Sequence, residues 1–116
     1  MTFYLKQGDT SPAILKQMLA ADGTPVNLTG ATLRFSMASK AGVNVIDRAS
    51  AAVFTGTLPG GGVVAASDGW MRYAWTAPNT AAAGEFNAEF EVTFADGSIE
   101  TAPNSGYETI HITRQL

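Results

Sequence analysis

The chain has 116 residues with ten acidic and seven basic side chains, and that length is enough for a single domain spanning 1–116 that folds without a disulfide or a metal. Its formal charge of −3, without any cluster of Lys or Arg, argues against nucleic acid as a partner, because phosphate backbones require a concentrated positive surface. The lack of cysteine excludes thiolate nucleophiles and Cys-based zinc or iron–sulfur sites.

The amino-terminal stretch MTFYLKQGDTSP lacks the basic segment and apolar core of a cleaved signal peptide. No apolar stretch approaches the roughly 20 residues that a membrane helix needs. We therefore expect a protein made in the host cytoplasm, with no membrane partner. The first strand is predicted at residues 3–7.

Residues 10–23, TSPAILKQMLAADG, carry local helix signals. Ser11 suits the N-cap position, Pro12 suits the first helical position, and Gly23 is a stop signal. The apolar residues at helical spacing are Ile14, Leu15, Met18 and Leu19. As a strand, the same segment would alternate instead, with Leu15, Gln17 and Leu19 on one side and Ile14, Lys16 and Met18 on the other. The residues alone leave both structures open and favour the helix.

Several later segments alternate apolar and polar residues with the period of a half-buried strand. The apolar face of residues 31–38 carries Ala31, Leu33, Phe35 and Met37. In residues 69–76 the heavier face carries Met71, Tyr73 and Trp75, which we expect to face the core. Residues 107–113 place Ile110 and Ile112 on one side, and residues 43–57 form a further strand with weaker alternation.

Residues 84–103 predict a β-hairpin. Its first strand alternates polar residues with the apolar set Phe86, Ala88, Phe90, Val92 and Phe94. Asp96-Gly97 is a dipeptide typical of a two-residue type I′ turn, which would set Phe94 opposite Ile99 and Thr93 opposite Glu100.

Short strands between frequent turns predict an all-β fold, an antiparallel sandwich or barrel. Three of the five aspartates immediately precede glycine, so turn chemistry accounts for them before any catalytic role does.

Candidate catalytic residues are few. Glu89 and Glu91 lie two apart on one strand, a separation of about 7 Å that a glycosidase carboxylate pair could use. Since they alternate outward from a core strand, we interpret them as a solvated face. His111 is the only histidine, which excludes a pair of His ligands, and GGG at 60–62 lacks the Lys-Ser/Thr of a phosphate loop. We predict no enzyme activity and no catalytic, cofactor-binding or metal-binding residue.

Trp70 and Arg72 form the candidate interface, because they lie on the side of their strand opposite to Met71, Tyr73 and Trp75. Tryptophan and arginine are favoured at protein interfaces and also stack on sugar rings. The alternative is that Trp70 is simply buried under loops, and the sequence does not separate the two.

Three stretches resemble a phage protein family in their sequence and in their order along the chain: KQGDTSP at 6–12, ADGTPVNLTGATLRFSM at 21–37 and GEFNAEFEVTFADGSIETAPNSGY at 84–107. They are similar to the amino-terminal domain of phage baseplate upper proteins, found in tail and baseplate proteins of siphophages and prophages. The resemblance covers about half the chain and implies an antiparallel immunoglobulin-like β-sandwich of about seven to nine strands. It also implies that residues 13–20 form a strand, which we predict in place of the local helix.

The function that the resemblance implies is that of a virion structural protein, docking on other phage tail and baseplate proteins without catalytic activity. The long members of the family continue into a helical linker and a further module, whereas this sequence stops at Leu116. It is either a compact stand-alone relative or a piece of a longer chain, so we carry over the docking role and leave receptor presentation open. We expect a homo-oligomer in the assembled virion, since symmetry multiplies weak contacts. The alternative function is a carbohydrate-binding β-sandwich module that uses Trp70.

Overall fold

The computed structural model describes residues 2–116, and their regular structure is strand apart from two short 3₁₀ helices, Ala66–Asp68 and Ala77–Thr80. The strands are β1 (Thr2–Lys6), β2 (Ile14–Gln17), β3 (Thr32–Ser39), β4 (Asn44–Val53), β5 (Gly56–Thr57), β6 (Val63–Val64), β7 (Trp70–Tyr73), β8 (Gly84–Thr93), β9 (Ile99–Ala102) and β10 (Glu108–Thr113). The predicted all-β class is confirmed.

Eight strands form one sheet in the order β1-β10-β8-β3-β4-β7-β2, with β9 paired to β8, while β5 and β6 form a separate two-stranded ribbon. The sheet folds over on itself because β4 changes partners along its length. Its residues from Asn44 to Ala51 pair with β3, and Ala52 and Val53 pair with β7. One strand therefore belongs to both layers, and the result is nearly a barrel.

The sheet is mixed, and the expectation of a wholly antiparallel sandwich is wrong at one strand pair. β1 runs parallel to β10, with Thr2 opposite Thr109 and Lys6 opposite Thr113, whereas the other pairs among residues 2–116 are antiparallel. Turn chemistry fixes the direction of strands joined by a hairpin. β1 and β10 are separated by most of the chain, so no turn signal constrains their relative direction.

The core lies between the two layers, where alternate residues of facing strands meet. Phe35 of β3 stacks on Tyr73 of β7 with ring centroids 4.5 Å apart, and Phe90 of β8 lies 4.9 Å from Phe35. Trp75 meets Phe35 edge to face at 5.6 Å. Such pairs add to the burial of large aromatic area. The predicted inward faces of 69–76 and 84–94 are confirmed, although Phe94 at the end of its strand is only half-buried.

The segment at residues 13–20 is a strand at its centre, as the resemblance implied, and the local helix signals were wrong. β2 pairs with β7, and beyond it Leu19 makes a single bridge to Pro25. Ile14 and Met18 are buried, and Lys16 on the same side places its Nζ 3.0 Å from Oε1 of the buried Glu108. A helix this short is marginal in isolation, whereas β7 offers backbone partners and the core offers burial.

The β8–β9 hairpin has a loop one residue longer than predicted. The Phe94 N–H donates to the Ser98 carbonyl at 2.8 Å, and the Gly97 N–H donates to the Phe94 carbonyl at 2.9 Å. Thr93, and not Phe94, lies opposite Ile99. The prediction of a two-residue type I′ turn was therefore wrong.

The cause is the side chain of Asp96. Its Oδ1 accepts hydrogen bonds from the N–H of Ser98 at 2.9 Å and from the Ser98 hydroxyl at 2.6 Å. Gly97 has φ +89°, whereas Asp96 keeps a negative φ, as in a three-residue loop with one left-handed glycine. Because a shift of one residue exchanges the two faces of a strand, Ile99 is 61% exposed and Ala102 reaches the core.

Candidate functional site

The start of β7 is fixed by Gly69, which lies against two other backbone segments. Gly69 has φ +81°, and a Cβ at this position would lie 2.7 Å from the Met18 carbonyl oxygen and 2.9 Å from that of Val26. The Met18 N–H donates to the Gly69 carbonyl at 2.7 Å. Only glycine fits both this conformation and this close approach, so the strand that carries the candidate interface begins at a defined position.

Trp70 and Arg72 occupy adjacent outward positions of β7, as predicted, so they lie about 7 Å apart. Arg72 is exposed and lies opposite Leu15 of β2 on one side and Ala52 of β4 on the other. Trp70 is half-buried and lies opposite Gln17. The structure therefore brings the two predicted interface residues together on the outer face of the smaller layer, and Trp70 is neither fully buried nor fully open.

Arg72 lines a groove of about 260 Å³ on this outer face. The groove is lined by Ser11, Pro12, Ala13, Leu15, Phe54, Thr57, Pro59 and Arg72. Arg72 is the only charged residue in this lining, and its guanidinium makes no hydrogen bond or ion pair with residues 2–116. We refer to this feature as the Arg72 groove.

Sequence reasoning missed the apolar walls of the Arg72 groove. Phe54 follows β4 and aligns with Trp70, since its N–H donates to the Trp70 carbonyl at 2.8 Å. The alternation of residues 13–20 predicts that Leu15 shares a side with Gln17, but it does not predict the pairing of β2 with β7 that brings Leu15 next to Arg72. No signal in the weakly alternating residues 43–57 identified Phe54.

A second depression, also of about 260 Å³, adjoins the Arg72 groove. Its lining is Tyr4, Leu5, Lys6, Asp9, Ser11, Pro12 and Thr113, so the two depressions share Ser11 and Pro12. Tyr4 is 69% exposed and is among the most exposed large hydrophobic side chains of residues 2–116. We refer to this feature as the Tyr4 depression.

The acidic residues considered for catalysis lie on the outer face of the larger layer. Glu91 forms an ion pair with Arg48. Glu89 is half-buried and lines a depression of about 330 Å³, whose lining also includes Lys40 and Asn87; Lys40 Nζ donates to Asn87 Oδ1 at 2.7 Å. The two carboxylates therefore have different surroundings, because Glu91 is paired with Arg48 and Glu89 lines the depression.

His111 lies on the same outer face, between β1 and β8. Its Nδ1 is 3.5 Å from Glu85 Oε1, and its ring lies 5.7 Å from that of Tyr4. Both members of the His111–Glu85 pair are more than a third exposed. The four depressions described among residues 2–116 do not include His111 in their linings.

The aspartates that precede glycine are held in turns. Asp22 accepts hydrogen bonds from the hydroxyl and the N–H of Thr24, and these lower the pKa of its carboxyl. The Ser98 hydroxyl and N–H likewise lower the pKa of Asp96. Within residues 2–116 no three His, Asp or Glu side chains come together in a group that could hold a metal ion, and no helix there is long and apolar enough to span a membrane.

Comparison with known protein families shows which family the chain belongs to. The profile of the BppU N-terminal domain, a family of phage baseplate upper proteins, matches residues 2–103. The chain belongs to the BppU N-terminal domain family. The match begins at β1, ends just after β9, and includes both β2 and β7. A comparison with curated proteins finds no match.

Membership in the BppU N-terminal domain family confirms the resemblance predicted from the sequence and makes the chain a phage baseplate-related structural domain. It implies a place in the virion and interaction with other phage tail proteins. The part of the chain that carries Trp70, Arg72 and the Arg72 groove lies inside the matched region.

Proposed function

We propose that this BppU N-terminal domain is a non-catalytic docking domain, which attaches to another tail or baseplate protein through the outer face of its smaller layer. The observation that carries the proposal is the position of Trp70 and Arg72 within the family match, side by side on an open sheet face. Both residue types concentrate binding energy at protein interfaces. The half-buried Trp70 is already held by its neighbours, so it loses little side-chain freedom when a partner covers it.

The two layers and their aromatic core support the immunoglobulin-like sandwich as the scaffold of this docking domain. Phe35, Tyr73 and Phe90 join the layers, which keeps the outer face of β7 stiff. A stiff face binds without the entropy cost of ordering a loop. We further propose that several copies assemble around the tail axis, where symmetry and effective concentration make individually weak contacts sufficient.

The test is binding between the purified domain and tail proteins encoded in the same phage genome, followed by native mass spectrometry and titration. We expect a defined complex that Trp70→Ala and Arg72→Gln weaken by about tenfold or more each. Arg34→Gln is the matched control, because it removes the same charge from β3 in the other layer. A domain that stays monomeric and binds none of these proteins would refute the docking role.

Carbohydrate binding through Trp70 is the second candidate function, and the partial exposure of Trp70 on an open sheet face favours it. An aromatic ring on a sheet face can stack on a sugar ring. Glycan-array binding that disappears in Trp70→Ala and persists in Arg72→Gln would support it. Tail-protein binding with no glycan signal would support docking instead.

A further inference from the structure

We propose that the Arg72 groove receives a carboxylate side chain carried by an extended segment of the docking partner. This inference rests on the proposed docking function and names the chemistry of the partner. It starts from the charge of the Arg72 groove, which contains one guanidinium and no acidic residue, in a chain whose formal charge is −3. A partner segment with an acidic residue complements this local charge.

The guanidinium of Arg72 is available for such a contact. Arginine presents five N–H donors in a planar fork that matches the two oxygens of a carboxylate. Elsewhere among residues 2–116, the guanidinium of Arg48 forms an ion pair with Glu91, whereas Arg72 has no carboxylate partner. Arg72 lies between Leu15 and Ala52 of the flanking strands, so its backbone is fixed by strand pairing. The side chains of these two neighbours are too short to cover its guanidinium.

The walls of the Arg72 groove define the rest of the ligand. Leu15, Phe54 and Pro59 supply apolar surface, while the hydroxyls of Ser11 and Thr57 supply polar contacts. An apolar side chain next to the carboxylate would bury area against these walls and exclude water from the ion pair, which strengthens it. The preferred segment therefore carries an acidic residue adjacent to an aliphatic one.

The neighbouring Tyr4 depression indicates that the ligand is an extended segment and not a free carboxylate. The two depressions meet at Ser11 and Pro12, so a chain that leaves the Arg72 groove can continue toward the exposed Tyr4 ring. Together they offer about twice the volume of either one, which is more than a single side chain fills. Tyrosine is a residue type that interfaces favour, and it contributes contact area at low entropy cost.

The experiment uses ¹⁵N-labelled protein and two blocked peptides of about ten residues, one alternating aspartate with leucine and one alternating asparagine with leucine. Backbone amide shifts on titration report both the affinity and the site. We expect the aspartate peptide to shift the amides of Leu15, Phe54 and Arg72, and to bind roughly tenfold or more tightly than the asparagine peptide. Added salt should weaken the aspartate peptide only.

Variants of two arginines separate a specific contact from general charge. Arg72→Gln should abolish the preference for aspartate, and Arg72→Lys should retain only part of it, because an ammonium lacks the bidentate fork. Arg34→Gln, on the opposite layer, should change nothing. Arg72 is exposed, so these variants should melt at the wild-type temperature, which circular dichroism checks.

The outcomes distinguish this inference from the docking function. Equal binding of both peptides, shifts at another surface, or no shifts at millimolar peptide would overturn the inference. If a tail protein binds, and Trp70→Ala weakens the complex while Arg72→Gln has no effect, docking through this face stands and the carboxylate contact fails. If the aspartate peptide binds in the Arg72 groove while the tail proteins do not bind the domain, the preference of the groove for a carboxylate stands, and the docking role and the assignment of the carboxylate to a docking partner fail.

Discussion

Replacing Gly69 with alanine should destabilise the domain far more than the same change at another glycine of similar conformation. Gly69 has φ +81°, and the added Cβ would meet the carbonyl oxygens of Met18 and Val26 at 2.7 and 2.9 Å. These are backbone atoms of paired segments, so they cannot rotate away as a flexible side chain would. Gly42 is the matched control, because it has φ +89° and no atom within 4 Å of the added Cβ.

The expected magnitudes follow from these contacts. Both substitutions place alanine in the left-handed region, which costs ~1–2 kcal/mol. At Gly69 the Met18–Gly69 and Val26–Met18 hydrogen bonds, of 2.7 and 2.9 Å, must also lengthen, and each contributes about 1 kcal/mol. We therefore expect Gly69→Ala to cost ~3–4 kcal/mol and Gly42→Ala to cost ~1–2 kcal/mol, out of a total stability of ~5–15 kcal/mol.

Urea unfolding, followed by tryptophan fluorescence, measures the free energy of unfolding of each variant. If the dependence of this free energy on urea concentration has the same slope as in the wild type, the compactness of the unfolded state is unchanged. At about 4 °C per kcal/mol for this chain length, Gly69→Ala should lower the melting temperature by roughly 12–16 °C and Gly42→Ala by roughly 4–8 °C. Equal losses for the two variants would show that the backbone approach at Gly69 relaxes without cost. That result would refute the argument that Gly69 fixes the start of β7.

Two further predictions concern the core and the hairpin turn. Trp75→Ala should cost ~3–5 kcal/mol and strongly lower the denaturant midpoint, since Trp75 is 4% exposed. Glu89→Gln should leave the midpoint unchanged, because Glu89 makes no ion pair among residues 2–116. Equal stabilities of the two variants would contradict the assigned faces. Ser98→Ala should raise the pKa of Asp96 toward its ordinary value, because the Ser98 hydroxyl is the main cause of its lowering, and an NMR titration of the carboxyl measures this. Since the folded-state pKa lies below the unfolded one, this turn favours folding above the ordinary carboxyl pKa and loses that contribution as the pH falls through the folded-state value. A titration of Asp96 that is the same with and without Ser98 would show that the hydroxyl is not the cause.

The individual strands could be predicted from the sequence because burial of one face imposes a period of two. Residues 31–38 and 84–94 each alternate through a full strand, and their inward residues, such as Phe35 and Phe90, are fully buried in the structure. The segment at 13–20 could not be decided this way. Its local helix signals yield to pairing with β7, which is a contact that no local pattern encodes.

The register of the β8–β9 hairpin and the relative direction of β1 and β10 could not be predicted, since both depend on interactions between distant or competing groups. The Asp96-Gly97 dipeptide is compatible with two loop lengths, and the hydrogen bonds from Ser98 select the longer one. The parallel pairing of β1 with β10 joins the two ends of the described chain and leaves no mark in the sequence of either strand.

The candidate site was predictable only in part, for a related reason. Trp70 and Arg72 could be identified because they lie on the side of an alternating strand that faces away from the core, and both are residue types favoured at protein interfaces. The Arg72 groove also needs Pro12, Leu15 and Phe54, which come from segments far apart in sequence and gather only when β2 and β4 flank β7. A single sequence carries no sign of that convergence.

The parallel pair of β1 and β10 has a mechanical consequence. Its strands start together at Thr2 and Thr109 and finish together at Lys6 and Thr113. Tension applied between Thr2 and Thr113 would slide one strand along the other, so the ladder of hydrogen bonds would carry the force in shear and share it among all its members. Two antiparallel strands pulled from one end would instead unzip bond by bond.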